Sequence, residues 1–274
     1  MGAIADVLRD AAVRLAAVSD TPRLDAELLL AHALGVERQA LLLDPSRFAE
    51  PAGFAALIER RMAHEPVAYI VGHRDFWTIR LAVAPGLLIP RPDSETLIEA
   101  AVEHFGADGP RRILDLGSGP GTLLLAALAE WPDAHGLGID ESEKAVDWAT
   151  MNAADLEMGA RARFRLGDWA AGLDGPFDLI LCNPPYIAAD EVLMPDVADH
   201  EPASALFAGA DGLDDYRRIL PDLPRLLAPG GAVILEIGHT QSILVTELAE
   251  AAGFAARCRR DLGGRDRALV LTRP

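Results

Sequence analysis

The chain predicts an α/β fold: a Rossmann-like, mainly parallel seven-stranded sheet preceded by a small helical bundle. Three observations carry this expectation. From Arg112 onward, apolar runs of strand length alternate with helical patterns, as in parallel sheets covered on both faces. One such run opens into Gly117-Ser118-Gly119-Pro120-Gly121 and then directly into a helix. Residues 1–75 instead space their apolar side chains at helical intervals.

In the first 75 residues, Ile4, Val7, Leu8, Ala11, Ala12 and Leu15 form one helical face. Leu24, Leu28, Leu29 and Ala31 form another after Thr21-Pro22, a helix start, and Gly35 ends it. Phe54, Leu57, Ile58 and Arg61 mark a further helix after Pro51. No polar set converges there, so 1–75 reads as a docking or positioning domain without chemistry. Residues 76–90 read as a β-hairpin linker: Phe76-Trp77-Thr78-Ile79 and Leu81-Ala82-Val83 are β-prone, and Ala84-Pro85-Gly86 is a turn signal. Residues 91–274 form the second domain. Ser94 reads as the cap of a helix from Thr96 to Phe105. Strands are expected at Ile113–Leu116, His135–Asp140, Ala162–Leu166, Asp178–Cys182, Ala232–Glu236, Ala255–Arg259 and Arg267–Thr272. Helices are expected at Leu123–Glu130, Glu143–Leu156, Tyr216–Leu227 and Gln241–Ala251.

Length and composition bound the function. A chain of 274 residues suits two domains. Cys182 and Cys258 are its only cysteines, so neither a disulfide framework nor a zinc site is expected, and no metal is predicted. Met1 to Asp10 lacks the pattern of a secretory signal, and no apolar run reaches membrane-spanning length. The simplest expectation is a soluble cytoplasmic protein. The net charge is −17, and between Asp168 and Asp215 lie 11 acids without one Lys or Arg. Nucleic-acid enzymes surround their sites with positive charge, so this balance argues against a DNA or RNA partner.

Asn183-Pro184-Pro185-Tyr186 follows the apolar run Phe177–Cys182, at the strand end where open α/β sheets place ligands. Two prolines donate no hydrogen bonds. The stiff turn offers acceptors, the Asn183 side-chain oxygen and the Pro184 carbonyl, followed by the aromatic face of Tyr186. Such a set suits a planar NH2 group awaiting methylation. Upstream, the glycines of residues 117–121 let the backbone approach a ligand closely. Asp140 ends the second strand of the sheet, where a carboxylate accepts from ribose hydroxyls; it can equally cap the next helix, for which Ser142 competes. Asp168-Trp169 ends the third strand, suited to an adenine amine or to an ordinary turn. Three strand ends in order fit one adenosine-containing cofactor.

These residues resemble the S-adenosylmethionine-dependent methyltransferases, and more narrowly the release-factor glutamine methyltransferases. The resemblance runs almost end to end. It rests on Pro22–Leu29, Glu65–Gly72, Ile89-Pro90-Arg91-Pro92-Asp93-Ser94-Glu95, Asn183–Ile187 and His200-Glu201-Pro202 with Ala205-Leu206, and on Gly209–Leu213 with Tyr216. Gly-Ser-Gly-Pro-Gly departs from the commoner Gly-Thr-Gly-Thr-Gly, and Pro120 removes one N–H. The resemblance implies methyl transfer from S-adenosylmethionine to the side-chain amide (N5) of the glutamine in the Gly-Gly-Gln loop of peptide chain release factors. It implies cofactor contacts from Gly117, Ser118, Gly119, Pro120, Gly121, Asp140, Asp168, Trp169 and Asn183. Asn183, Pro184, Pro185 and Tyr186 would hold the substrate, with Asn183, Pro184 and Tyr186 catalytic. Arg91 would support the substrate loop, or form an interdomain salt bridge. Two alternatives stand beside this: a nucleic-acid amino-methyltransferase of the adenine N6 type, which flips its base, and a non-catalytic nucleotide-binding module on the same fold.

Overall fold

The computed structural model describes residues 3–273, so Met1, Gly2 and Pro274 lie outside the described residues. The chain divides into two units. One is Met1–His73 with Leu193–His200; the other is Arg74–Val192 with Glu201–Pro274. The sequence reading placed the first boundary at residue 75 and did not foresee that Leu193–His200 belongs with the N-terminal residues.

The first unit holds α1 (Ala3–Leu15), α2 (Pro22–Leu34), α3 (Arg38–Leu43), α4 (Phe54–Met62) and α5 (Val67–Val71). Pro22 opens α2, and Gly35, at φ 65°, closes it by donating to the carbonyls of Ala31 and His32. Ile4, Leu8, Leu15, Leu29, Leu30 and Ile58 are buried together. One polar cluster is buried beside them. Arg61 Nε donates to Asp25 Oδ2 at 2.8 Å, and its Nη2 lies 2.7 Å from Asp196 Oδ2. Asp196 arrives on the short helix of the inserted segment, Pro195–Ala198, and also meets His64 Nδ1 at 2.9 Å.

The hairpin strands are β1 (His73–Phe76) and β2 (Ile79–Ala82), all of them but His73 in the second unit. The turn falls at Trp77-Thr78, inside the stretch that the sequence read as extended. Trp77 adopts φ 53°, and its N–H donates to Glu95 Oε1 at 2.8 Å. That carboxylate supplies the partner which a neighbouring strand would have given. Then follow α6 (Glu95–Phe105), β3 (Arg112–Leu116), α7 (Thr122–Glu130), β4 (His135–Asp140), α8 (Glu143–Asp155), β5 (Ala162–Leu166) and β6 (Phe177–Cys182). With the inserted helix as α9, α10 (Asp214–Ile219), α11 (Leu223–Leu226), β7 (Leu227–Glu236), α12 (Ser242–Ala251), β8 (Ala255–Arg260) and β9 (Asp266–Thr272) complete the order. The helix expected over Tyr216–Leu227 is broken. Pro221 and Pro224 each lack an N–H, so a 3-10 turn separates α10 from α11.

The sheet order is β5-β4-β3-β6-β7-β9-β8, with β9 antiparallel to both neighbours. Alternation along each strand feeds two cores. Ile113, Leu179, Leu181 and Ile234 face α6, α7 and the hairpin. Leu114, Leu116, Ile180 and Leu235 face α10, α11 and α12. The mainly parallel seven-stranded sheet is thus as expected. The chain reverses its direction of winding between β3 and β6, a topological switch point where such sheets bind ligands. The pairing Leu116↔Cys182 sets the glycine loop beside the Asn-Pro-Pro-Tyr turn.

Candidate active site

A cleft of about 760 Å³, open to solvent, lies over this switch point. Gly117 and Gly119 line it from β3, Asp140 from β4, Asp168 and Trp169 from β5, and Asn183 and Pro185 from β6. A smaller adjoining cleft of about 370 Å³ is lined by Arg91, Ser94, Asp115, Ser118, Pro120 and Asn183. The structure therefore gathers most of the expected residues around one continuous region. Gly121, Pro184 and Tyr186 line neither cleft. Gly121 starts α7 at φ 90°, where a Cβ would come within 2.8 Å of Leu125 Cδ1, so packing accounts for it.

Most of the loop's amides are already engaged, chiefly by the end of β4. Gly117 and Ser118 both donate to the Ile139 carbonyl, and Gly121 donates to the Ser118 carbonyl. Gly119 donates to Asp140 Oδ2 at 2.8 Å. Pro120 thus costs the loop little. Its carbonyl accepts from Asn152 Nδ2 at 2.9 Å, and the same side chain pairs with both backbone groups of Ala82, tying β2 to the loop. At Gly117 the φ is 71°, and a Cβ would meet the Trp169 ring at 3.0 Å. The close approach of indole to backbone needs glycine there.

Asp140 receives the Gly119 and Ser142 amides, one on each oxygen. Ser142 caps α8, accepting from Ala145 N, which leaves Asp140 facing the cleft. Burial pushes the Asp140 carboxyl up, and its two backbone donors hold it down. Asp168 is exposed, and both its oxygens accept from Arg218 Nη2, at 2.6 and 2.9 Å. Trp169 donates its indole N–H to Asp215 at 3.2 Å. Asp168 thus reaches the cleft already shared with an arginine that the sequence reading had not connected to it.

At the Asn-Pro-Pro-Tyr turn, Asn183 Nδ2 donates to Ser94 Oγ at 3.3 Å. Ser94 makes no cap bond to α6; its hydroxyl accepts from Asn183 instead. Tyr186 donates its hydroxyl to Glu236 Oε1 at 3.3 Å, and its carbonyl accepts from Gln241 Nε2 at 2.9 Å. Arg91 Nη2 lies 2.5 Å from Glu201 Oε1, while Glu201 Oε2 accepts from Ile89 N at 3.1 Å. The Arg91 pair is therefore made within the second unit. It ties the chain ahead of α6 to the stretch that supplies Pro202, Ser204 and Ala205 to the cleft wall.

Sequence reading passed over four residues that the fold gathers around this region. Asp115 and Glu236 are acids inside strands that are otherwise apolar, and that anomaly was visible. Both are fully buried, and burial pushes each carboxyl up to about 7. Asp115 Oδ2 accepts from Leu124 N, while Asp115 Oδ1, Ser118 Oγ and Glu236 Oε2 have no hydrogen-bond partner. Glu201 and the Ser94–Asn183 contact gave no such signal, because the partners are distant in sequence. The acidic stretch also changes meaning. Asp196 and Glu201 are committed to arginines, and Asp168, Asp211, Asp214 and Asp215 to Arg217 and Arg218. Asp190, Glu191 and Asp199 remain exposed.

Residues 6–72 match the PrmC N-terminal domain, and residues 108–259 match a methyltransferase domain. A release factor glutamine methyltransferase of Rhodospirillum rubrum is 46% identical over 260 residues, spanning 93% of this chain and 80% of that one. One from Cereibacter sphaeroides is 46% identical over 278 residues, 98% of each chain. Among solved structures, the 16S rRNA N2 G1207 methyltransferase of T. thermophilus aligns with a TM-score of 0.53 at 19% identity, covering 74% of this chain and 50% of that one, a likeness of fold. Identity of this extent, over both domains, places the chain in the release factor glutamine methyltransferase family.

Proposed function

We propose that the protein methylates the side-chain amide nitrogen of the glutamine in the Gly-Gly-Gln loop of peptide chain release factors, with S-adenosylmethionine as donor. The observation that carries this reading is the placement of Asn183. It sits at the end of β6 on the wall shared by both clefts, with Nδ2 engaged by Ser94. Its Oδ1 is left as an acceptor for an incoming NH2 group.

The residues fit the cofactor. Unpartnered Asp115 Oδ1 and Ser118 Oγ line the smaller cleft and suit the ammonium of an amino-acid moiety. Asp140 suits ribose hydroxyls, and Asp168 with Trp169 suits the adenine. S-adenosylmethionine supplies, when bound, a methyl group on a positively charged sulfur.

The protein's own work is orientation. An amide nitrogen is a poor nucleophile because its lone pair is delocalised into the carbonyl. Acceptors fixed on its two hydrogens, Asn183 Oδ1 and the Pro184 carbonyl, favour the electron-rich nitrogen of the transition state. Holding nitrogen close to the methyl group contributes the remainder. No strong base is needed before transfer; the proton leaves to water afterwards. Tyr186 lines neither cleft; its hydroxyl on Glu236 and its carbonyl on Gln241 brace the turn that presents Asn183. Residues 1–75 dock the protein substrate, and a release factor substrate places the reaction in the cytoplasm. The exposed acids beside the turn argue against nucleic acid as a direct partner.

The test is mass spectrometry of release factors from cells with and without this protein. One added CH2 on a single glutamine, only in its presence, is the expected result; identical spectra overturn the reading.

A further inference from the structure

Pro184 and Pro185 have no N–H to give, so the Asn-Pro-Pro-Tyr turn cannot fix itself with amides of its own. A side chain holds its far end. Gln241 precedes α12 at the cap position, yet it makes no side-chain cap bond. It reaches back to the turn instead. Gln241 Nε2 donates to the Tyr186 carbonyl at 2.9 Å and to the Gly212 carbonyl at 3.2 Å. Gln241 Oε1 accepts from Gly238 N at 3.0 Å, and Gln241 N donates to the Gly238 carbonyl at 2.9 Å. The Tyr216 hydroxyl, which donates to the Glu236 carbonyl at 3.0 Å, lies 3.5 Å from the same Oε1. Carbonyls only accept and an N–H only donates, so the Gln241 amide has one allowed orientation. The Gly212 loop packs directly on this joint. At Gly212 the φ is 71°, and a Cβ would come within 2.3 Å of the Tyr186 carbonyl oxygen and 2.8 Å of Gln241 Nε2.

Position is transmitted along this turn because it is stiff. Peptide planes are rigid, and the Pro185 ring locks its own φ. Between the Pro184 and Tyr186 carbonyls the torsions left are Pro185 ψ and Tyr186 φ and ψ. Tyr186 is held at both of its ends, by Gln241 on the carbonyl and by Glu236 Oε1 on the hydroxyl at 3.3 Å. Beyond it backbone pairing resumes, where Ile187 N donates to the Leu206 carbonyl at 2.9 Å. The direction of the Pro184 carbonyl therefore follows from where Tyr186 is held. We propose that Gln241 is a positioning residue for methyl transfer: by holding the Tyr186 carbonyl, it aims the Pro184 carbonyl at the substrate amide. The two acceptors are then fixed separately, Asn183 Oδ1 by Ser94 on the Asn183 amide and the Pro184 carbonyl by Gln241.

The inference rests on the glutamine-amide reading of the cleft. An acceptor that matters most as the amide nitrogen becomes electron-rich acts on the transition state more than on the bound substrate, so misaiming it lowers kcat and spares KM. Gln241→Glu keeps the size of the side chain, but an ionised carboxylate only accepts and would face two carbonyl oxygens. Gln241→Met keeps the length and has no donor. Each should lower kcat for intact release factor roughly 10–100-fold, less than the loss of a whole oriented group. KM and the calorimetric affinity for S-adenosylmethionine should stay within about twofold of wild type. Urea unfolding shows which variants are folded, and the uncharged Gln241→Met decides the matter if Gln241→Glu is not. A kcat within about twofold of wild type in a folded variant overturns the proposal. So does a loss carried by KM or by cofactor affinity, which would make Gln241 a residue of binding or of general structure. Wild-type protein that methylates no release factor defeats instead the reading of the substrate.

Discussion

Leu116 and Cys182 are register partners on adjacent parallel strands, so the first residue of the glycine loop and the asparagine of the Asn-Pro-Pro-Tyr turn leave the sheet side by side. A one-residue slip would send every side chain of β6 to the other face and separate the two loops. Both residues are fully buried, which makes that register costly to change. The spacing between the glycine loop and the Asn-Pro-Pro-Tyr turn is thus set by the core.

Asn183→Ala should lower the rate of transfer by about 10²–10³ while affecting cofactor affinity much less. It removes an oriented acceptor and leaves Asp140 and Asp115 in place. Single-turnover kinetics near the wild-type rate would show that the turn is only structural.

Asp140→Ala should weaken S-adenosylmethionine binding by roughly 1.5–3 kcal/mol, the range for charge-assisted hydrogen bonds. Asp140 also fixes the Gly119 and Ser142 amides, so Asp140→Asn, which retains one acceptor oxygen, should lose less. Calorimetry on the folded variants checks both; equal affinity for wild type and the alanine variant would remove Asp140 from the ribose site.

The ligand-free protein should lose stability as pH rises from about 4 to about 7. Asp115 and Glu236 ionise in the unfolded chain at ordinary values but only at about 7 when folded. Within that window the folded state holds protons that the unfolded state has lost, so stability is greatest below the window and levels off above it. Each shift amounts to roughly 3–4 kcal/mol. Urea midpoints should therefore be higher at pH 5 than at pH 8, and Asp115→Asn should shrink the difference. An undiminished drop in that variant would discount Asp115 as its source.

Arg61→Ala should destabilise the first unit by about 3–5 kcal/mol, because it strands the buried Asp25 and the half-buried Asp196 without their cation. If that unit docks the substrate, KM for intact release factor should rise while S-adenosylmethionine binding persists. Unchanged denaturation and unchanged KM would refute both roles.

Neutralising Asp190, Glu191 and Asp199 should lower kcat/KM for intact release factor at low salt and leave a short glutamine-loop peptide much less affected. A loop that works against ribosomal RNA is expected to be basic, and opposite potentials speed encounter more than they tighten the complex. The effect should fade as the Debye length shrinks from about 10 Å at 0.1 M salt to about 3 Å at 1 M. Matching rates and the same flat salt dependence for variant and wild type would reduce these acids to a solubility role.

Most of the sheet was legible because its central strands β3 and β6 are short apolar runs followed by turn signals; β8, Ala255–Arg260, carries three arginines and β7 begins at Leu227, inside the stretch read as helical. The long helix expected at Tyr216 was misread because its apolar spacing hid two prolines. The hairpin turn was misplaced because β-prone Trp77 is held in a left-handed conformation by Glu95, a residue outside the hairpin. In the site, glycines, Asp140 and the Asn-Pro-Pro-Tyr turn announced themselves by type and position. Ser94, Glu201 and Glu236 did not. Their meaning lies in hydrogen bonds to residues that the fold, not the sequence, makes neighbours.

The inclusion of Leu193–His200 in the N-terminal unit bears on the order in which the protein is made. Arg61 and Asp25 emerge early in synthesis, but Asp196, the second carboxylate on Arg61, follows 135 residues later by numbering (196 − 61). At synthesis rates of about 5–20 residues per second, the unit waits roughly 7–27 s for its last piece. Until then Arg61 has one of its two carboxylates, and the helices around it are an unfinished body on a nascent chain. The N-terminal unit therefore reaches its final form only after most of the parallel sheet has been synthesised.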